Sequence, residues 1–493
     1  MSFSRRAAWA AGLSILVSLQ AGGFARAAEA PVDWRKAALG DIQAARTILL
    51  DNSPGGAPGV DTAFRRRIDL ATKLASADAA SVDSLQGYHF ALEHFAQTFQ
   101  DNHLWIDFED PLPIRWPGFL MGYRDGRLVV ADTSDGVKHP LGAELVSCDG
   151  APAAAMARRR LQPYVGQWSV VSSRRRVAPY LLVDQGSPFA PAPKTCSFRQ
   201  AGRTWSQTLT WNEIQRADFT RRLKAARHIA SEPKGGVRAT ADGGYWIGIP
   251  TLNALDPSAL AGLEVLMKEI EAKAPEIRSA NYFVIDLRGN SGGNTFVALR
   301  VMNAIWGEGA VAGVRPKALR AEWRASPANI AYLEAVQPVL KQLFGADSLA
   351  YSGLAKILGG FRRSTAEGKP IFVDPDEYSI LHVWDGGARH TVGAKPFLLT
   401  DGGCVSSCLN LVDMVLKLPR VTQIGDETAS DTNMLENRAS PLPSGHAALE
   451  FPIKLYRNRE RRSYESYKPA YAWTGDMDDD AALERWVAGL PRS

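Results

Sequence analysis

The spacing of hydrophobic positions changes along the chain and predicts different structures for its successive parts. Up to about residue 110, apolar residues recur every three or four positions, as in RRRIDLATKLA and SLQGYHFALEHFAQTFQ, which is typical of amphipathic helices. From 111 to 212, short runs rich in β-branched and aromatic residues alternate with Asp-Gly and Ala-Gly turns, which predicts strands. We therefore expect an N-terminal helical region at 28–110, followed by a small β-rich unit at 111–212.

The remainder, 213–493, alternates between the two patterns. Continuous apolar runs predict buried strands, and amphipathic segments with Asp256 as an N-cap or with Ser406 at the start predict helices between them. The predicted strands are GGYWIGIPTL (243–252), NYFVIDLRGN (281–290) and GAKPFLLTD (393–401). Residues 313–380 show no clear period, and we interpret them as an insertion of uncertain structure. Strands alternating with helices predict an α/β domain with its sheet covered by helices.

The N-terminus has the composition of a secretory leader. Arg5 and Arg6 precede the apolar run AAWAAGLSILVSL, and small residues follow up to Ala27. This order of a basic, an apolar and a small-residue segment is typical of a cleaved signal peptide. We expect residues 1–27 to be removed, the protein to be exported (periplasmic or secreted), and the mature chain to have no integral membrane segment.

The charge balance gives no reason to expect nucleic acid as a partner. The chain has 57 basic and 52 acidic residues, and three of the arginines lie in the predicted leader. Local arginine clusters occur at 158–160, 174–176 and 457–462. Because such clusters most often mark solvated faces, we interpret them in that way.

Four cysteines permit disulfides in an exported chain, and three pairings are open. The pairing of neighbours in sequence is Cys148 with Cys196 and Cys404 with Cys408; free buried thiols are the alternative. The second pair is four residues apart, so it closes only if Cys404 lies outside helical geometry. No metal-binding or cofactor motif is present, and the acidic run at 476–480 is interpreted as a cap for the helix that follows it.

Two segments of the α/β region carry candidate chemistry. Ser406 follows the Gly402-Gly403 turn at a helix start, where a hydroxyl lies in the positive field of the helix N-terminus; the alternative is a simple helix cap. The turn in VIDLRGNSGGN (284–294) can bring backbone N–H groups to a reacting carbonyl. It lacks the phosphate-binding and dinucleotide-binding spacings, and a plain turn is the other alternative.

The order of these motifs resembles the tail-specific (C-terminal processing) serine peptidase superfamily. DLRGNSGG (286–293), the Ser406 loop and VTQIGDETASDT (421–432) are similar to its successive core motifs. The resemblance implies a crotonase/ClpP-like α/β core at 213–493 and a PDZ-like domain at 111–212, through LGAELVSCDGAP. It also implies Ser406 as nucleophile, with N–H groups of Ser407 and of Gly292 or Gly293 as the oxyanion hole.

The general base is expected to be a histidine. Bacterial members of the superfamily use a lysine 25 positions after the serine, but Asp431 stands there, and 420–453 contains no lysine. The tricorn-core-like branch uses a histidine ahead of the PDZ-like domain, and FQDNHLWIDFED (99–110) resembles that segment. His103 is therefore the candidate base, with His446 in reserve.

The third member of the catalytic group is implied by the same branch. Glu465, ahead of Pro469, resembles its acidic residue, and Glu460 is the alternative. A carboxylate in this role holds the imidazole in the required tautomer.

The function expected from the sequence is an exported serine peptidase that acts on polypeptides through an acyl-enzyme, without a cofactor. Two alternatives remain open. One is a non-catalytic binder of a peptide or apolar ligand, as in the retinoid-binding relatives, and the other is an esterase or amidase on the same fold.

Overall fold

The computed structural model describes residues 31–134, 140–231, 233–254, 256–374 and 387–492, so the predicted leader lies outside the described residues. The α-helices are α1 Trp34–Asn52, α2 Thr62–Ala79, α3 Leu85–Gln97, α4 Ala153–Arg160, α5 Arg174–Val177, α6 Arg216–Ala226, α7 Pro257–Ser279, α8 Thr295–Trp306, α9 Glu308–Val314, α10 Pro327–Phe344, α11 Leu349–Ala366, α12 Ser407–Val415 and α13 Asp480–Ala488. No helix in these ranges is both long and apolar enough to span a membrane.

The strands fall into three larger sheets and one short pair. They are β1 Trp105–Phe108, β2 Arg115–Trp116, β3 Phe119–Arg124, β4 Arg127–Thr133, β5 Glu144–Cys148, β6 Ala151–Pro152, β7 Thr195–Gln200, β8 Arg203–Thr208, β9 Asn212–Glu213, β10 Gly236–Ala239, β11 Tyr245–Gly248, β12 Tyr282–Asp286, β13 Arg320–Arg324, β14 Ile371–Asp374, β15 Lys395–Thr400, β16 Thr422–Gly425, β17 Met434–Pro441, β18 Ala447–Arg457 and β19 Tyr471–Ala472. The mixed α/β architecture expected from the sequence is confirmed.

The N-terminal helices α1, α2 and α3 pack against one another, as the hydrophobic spacing predicts. The helical region is shorter than expected, because α3 ends at Gln97 and β1 is a strand that pairs antiparallel with β18. The sequence Trp-Ile-Asp-Phe of β1 contains the aromatic and β-branched residues that favour a pleated surface. This strand joins the N-terminal region to the C-terminal half of the chain.

The β-rich stretch forms an antiparallel sheet in the order β3-β4-β5-β7-β8, with β6 beside β5. It has a hydrophobic core of its own, which includes Phe119, Leu145 and Phe198. Cys148 and Cys196 lie directly opposite each other on β5 and β7 and form a disulfide. The β-rich character is as expected, and the PDZ-like identity of this unit stays a prediction.

The central sheet has the order β10-β11-β12-β15-β16-β19, and all of its neighbours except β10 and β11 run parallel. Every residue of β12 and β15 is buried. Strands that are covered on both faces read as continuous apolar runs, which is why the sequence identified them. Helix α7 begins after Asp256, whose carboxylate accepts the N–H groups of Ser258 and Ala259, as predicted for an N-cap.

A second, antiparallel sheet has the order β1-β18-β13-β14, with β17 also paired to β18. The segment 313–380, which has no clear period, contributes β13, α10, α11 and β14 to this part of the molecule. β13 pairs with β18, so the segment extends the sheet that also carries β1. The predicted insertion is therefore part of the same sheet as the segment that follows His103.

Candidate active site

The carboxyl ends of the parallel strands bring three loops to one edge of the central sheet. The loop 287–294 follows β12, the loop 401–406 follows β15, and residues 426–433 follow β16. In open parallel sheets, this edge is where ligands bind. All three core motifs of the sequence therefore lie at the same edge.

Asp401 ties two of these loops together. Its buried carboxylate accepts the N–H groups of Gly289 at 2.9 Å and Gly403 at 2.8 Å, and also that of Ala230. Burial raises the pKa of Asp401 to about 6, although the three N–H donors oppose this. The Gly-rich turn and the serine loop thus share one anchor.

Ser406 stands at the start of α12 in an unusual backbone conformation. Its φ of 60° and ψ of −126° are sparsely populated by residues other than glycine, and a residue held in this way costs about 1–3 kcal/mol. Its side chain makes no capping hydrogen bond to the helix. The alternative interpretation of Ser406 as a helix cap is therefore not supported, and strain of this kind is typical of functional sites.

A disulfide brackets Ser406. Cys404 and Cys408 are bonded, and both are fully buried. Cys404 precedes α12 and so lies outside the helix, as a disulfide between cysteines only four residues apart requires. Both disulfides are thus present in the pairing of sequence neighbours, and the loop that carries Ser406 is covalently closed.

The Gly-rich turn lies directly against the serine loop. A methyl group on Gly292 would lie 3.0 Å from Cβ of Ser406 and 2.9 Å from the nitrogen of Ser407. The N–H of Gly292 already donates to Oδ1 of Asn290 at 2.8 Å. Of the two glycines considered for the oxyanion hole, Gly293 is therefore the one whose N–H this bond leaves available.

Ser407 and Gly293 are joined by a hydrogen bond as well as by proximity. The hydroxyl of Ser407 donates to the carbonyl oxygen of Gly293 at 2.7 Å. Ser407 is the first residue of α12, where a helical N–H has no partner within the helix. The Ser407 N–H therefore lies beside Gly293 at the N-terminus of α12.

His103 comes just before β1 and is fixed by three polar contacts. Asn437 on β17 donates to its carbonyl oxygen at 2.7 Å, and its own N–H donates to Oδ1 of Asp101 at 2.8 Å. The same Oδ1 lies 3.6 Å from Nδ1 of the ring, and this nitrogen is buried without a hydrogen-bond partner. Thr432 holds the other carboxylate oxygen of Asp101 at 2.7 Å. Asp101 is the carboxylate that faces the imidazole.

The structure gives the predicted third residues no contact with the imidazole. Glu465 is exposed and accepts the backbone N–H of Arg462, because residues 462–465 form a turn. Glu460 pairs with Lys417 at 2.6 Å. The Asp-x-His spacing in the sequence is the signal that places Asp101 beside His103.

The reserve base, His446, lies beside Asp110 and the Trp34 ring, with ring centroids 4.8 Å apart in the second case. It therefore packs against the N-terminal region. Among the described residues no hydrogen bond joins the Ser406 hydroxyl to the His103 ring.

Asp431, at the position of the lysine in the bacterial members, is fully buried between two arginines. Arg459 donates to it at 3.1 Å, and Arg461 also bonds to it. Burial tends to raise the pKa of Asp431, but the two guanidinium groups and the nearby His103 outweigh it and lower the pKa. A carboxylate that is held in its charged form near an imidazole favours the cationic form of the ring.

The arginine clusters are solvated only in part: Arg158, Arg159 and Arg462 are exposed as expected, but other members are buried. Arg461 is 4% exposed, and Arg160 is buried and donates to four backbone carbonyls. Arg175 bonds to Asp426 after β16, and Arg176 donates to Asn102. Their partners come from distant parts of the chain, so local charge patterns could not reveal them.

Within the described ranges, no group of three or more metal-ligating side chains is found.

Comparison with known proteins supports the family resemblance. The sequence profile of Peptidase family S41 matches residues 247–471. A comparison with curated protein sequences finds no significant match. Among solved structures, mature CPAF is similar, with 14% identity over 89% of this chain and 93% of that chain and a TM-score of 0.59.

Two further structures give the same picture. Mature CPAF complexed with lactacystin has 13% identity over 92% of this chain and 98% of that chain, with a TM-score of 0.60. A CPAF mutant has 15% identity over 89% of this chain and 93% of that chain, also with a TM-score of 0.60. At these identities the structures show a shared fold. Residues 247–471 thus match a Peptidase family S41 domain, and the fold of the chain is similar to that of mature CPAF.

Proposed function

We propose that this protein is an exported peptidase that cleaves polypeptides through an acyl-enzyme on Ser406, with His103 as the general base. The observation that carries the proposal is the conformation of Ser406, which is strained, uncapped and pressed against the Gly-rich turn. An isolated serine hydroxyl is a weak nucleophile, so it needs a base such as a neutral imidazole to take its proton.

The reaction divides into two halves. His103 takes the proton from the Ser406 hydroxyl as the oxygen attacks the scissile carbonyl carbon. The N–H groups of Gly293 and Ser407 stabilise the oxyanion, and His103 then gives the proton to the departing amine. In the second half, His103 deprotonates a water that attacks the acyl carbonyl, and Ser406 recovers its proton.

We assign the orienting role to Asp101, in place of Glu465. Its carboxylate oxygen lies 3.6 Å from the His103 ring nitrogen, and a small rotation on substrate binding would bring the two into hydrogen-bonding distance. Catalytic hydrogen bonds are often long in unliganded enzymes and tighten only in the complex. The proposed mechanism requires that this rotation also turns the imidazole toward the Ser406 hydroxyl.

Export and substrate presentation belong to the same proposal. The composition of residues 1–27 and the two disulfides favour an oxidising compartment outside the cytoplasm. The β-rich unit is proposed to be PDZ-like and to present unfolded or C-terminal polypeptide. Residues of this unit contact the site directly, because Ser172 bonds to Ser430 at 2.8 Å and Arg175 bonds to Asp426.

Hydrolysis of a reduced, unfolded polypeptide by the mature chain tests this proposal. Ser406→Ala should abolish cleavage, and His103→Gln should lower kcat by about 10³-fold or more. His94→Gln is the matched control, because His94 lies on α3 and pairs with Asp78. Undiminished cleavage by Ser406→Ala would contradict the proposal.

A further inference from the structure

A continuous chain of side-chain hydrogen bonds runs from Arg459 to the Gly-rich turn. Nη2 of Arg459 donates to Oδ1 of Asn410 at 2.6 Å, and Nδ2 of Asn410 donates to the hydroxyl of Thr295 at 3.2 Å. That hydroxyl donates to the hydroxyl of Ser407 at 3.2 Å, which donates to the carbonyl of Gly293 at 2.7 Å. Every bond points the same way, and such chains strengthen one another.

The other side of Arg459 reaches the base. Its Nη1 donates at 3.1 Å to Oδ1 of Asp431 and to the carbonyl oxygen of Thr432. Asp431 interacts electrostatically with His103. The Thr432 side chain holds Asp101, which faces the imidazole. Arg459 therefore lies between the segment that holds His103 and the segment that forms the oxyanion hole.

Arg459 is buried and has enough donors to bond to both segments at once. Its side chain is 3% exposed, and that of Asp431 is fully buried. A guanidinium is planar and presents several donors in a fixed fork, whereas a lysine ammonium is a single point charge. A buried ion pair is weak evidence for stability, because hydrophobic residues often replace it without loss. A fully connected network instead fixes a geometry.

We propose that Arg459, Asn410 and Thr295 are positioning residues that hold the oxyanion-hole amides in register with the His103 base. This inference rests on the proposed function. It adds the residues that set the position of the oxyanion-hole amides relative to the His103 base. Misplacing a catalytic group by about 1 Å can cost 10²-fold in rate. Removing any one of these hydrogen bonds should therefore lower kcat more than it weakens substrate binding.

Thr295→Val is the sharpest test, because it keeps the shape of the side chain and removes the hydroxyl in the middle of the chain. We expect kcat and the rate constant for fluorophosphonate labelling of Ser406 to fall about 10- to 100-fold, with KM changed less than about threefold. Thr295→Ser restores the hydroxyl and should recover both rates. Thr47→Val, at an exposed hydroxyl on α1, is the matched control.

Two further readouts separate positioning from loss of folded protein. The labelled fraction at saturation should match that of the wild type, so that each folded molecule is slower, and urea unfolding should show that the variant is folded under the assay conditions, although the unpaired partners of the hydroxyl lower its midpoint. Arg459→Lys is the second variant, should Thr295→Val fold poorly, and it should show the same fall in kcat. Unchanged rate constants in folded Thr295→Val or folded Arg459→Lys would overturn the positioning role. A wild-type protein that is not labelled at Ser406 would instead overturn the proposed function.

Discussion

The carboxylate of Asp101 faces the imidazole of His103, with Oδ1 3.6 Å from Nδ1 and 2.8 Å from the backbone nitrogen of the same residue. If Asp101 orients the base, Asp101→Asn should lower kcat by about 10²- to 10⁴-fold with little change in KM, because the imidazole loses the partner that selects its tautomer. Glu465→Gln should change kcat less than about threefold, as expected for an exposed side chain. Steady-state kinetics of both variants decide the assignment, and a large loss only in Glu465→Gln would return the role to Glu465.

Gly292 is expected to tolerate no side chain. Its φ of 93° favours glycine, and an added methyl would lie 2.7 Å from the carbonyl oxygen of Val405 and 2.9 Å from the nitrogen of Ser407. Gly292→Ala should therefore push the serine loop away and lower kcat at least 100-fold. Gly262→Ala is the control, because this helical glycine has open space around it and alanine should stabilise α7 by about 1 kcal/mol. Normal kcat in Gly292→Ala would show that the two loops are not in functional contact.

The two disulfides should differ in what they contribute. Cys148 and Cys196 are 48 residues apart, and Cys404 and Cys408 are four apart. Loop-closure entropy predicts a loss of about 4 kcal/mol in the free energy of unfolding for the first pair and about 2 kcal/mol for the second, when each pair is replaced by alanines. Urea unfolding measures both losses.

The disulfide that contributes less to the free energy of unfolding, Cys404–Cys408, should contribute more to catalysis. The second pair closes the loop that carries Ser406, so its replacement should lower the labelling rate of folded protein, whereas replacement of the first should not. Equal labelling rates in the two double variants would argue against a role for the disulfide at Cys404 in holding the nucleophile.

Asp401 should give the stability a specific pH dependence. Its pKa is raised from 3.8 to about 6, first by burial, so the folded state holds this proton where the unfolded state has released it. The contribution of this group is therefore most favourable below pH 4 and is lost as the pH rises through 6, a change of about 3 kcal/mol. Subtracting the unfolding free energy of Asp401→Asn from that of the wild type between pH 4 and pH 7 isolates it. A difference that grows with pH would contradict the raised pKa.

Much of the site could be predicted because it depends on local sequence. Ser406 after a Gly-Gly turn, the Gly-rich turn after β12 and the cysteine spacing are all set by neighbouring residues. The buried strands β12 and β15 read as continuous apolar runs for the same reason.

The rest of the site depends on contacts between distant segments. Arg459 and Arg461 looked like part of a solvated basic run, but their partners are Asp431, nearly thirty residues away, and side chains of α12. The strand β1 could not be predicted from its own sequence because it pairs with β18, more than 300 residues later in the chain. Pairings of this kind leave no periodic signal in a single sequence.

Activation of the Ser406 hydroxyl by His103 is the step on which the proposed peptidase mechanism depends. Peptide mapping of the mature protein after fluorophosphonate treatment tests it most directly, with the labelling rate followed as a function of pH. We expect one modified residue, Ser406, and a labelling rate that rises with pH in the wild type and loses this dependence in His103→Gln. A label on any other serine, or an unchanged pH profile in His103→Gln, would contradict it.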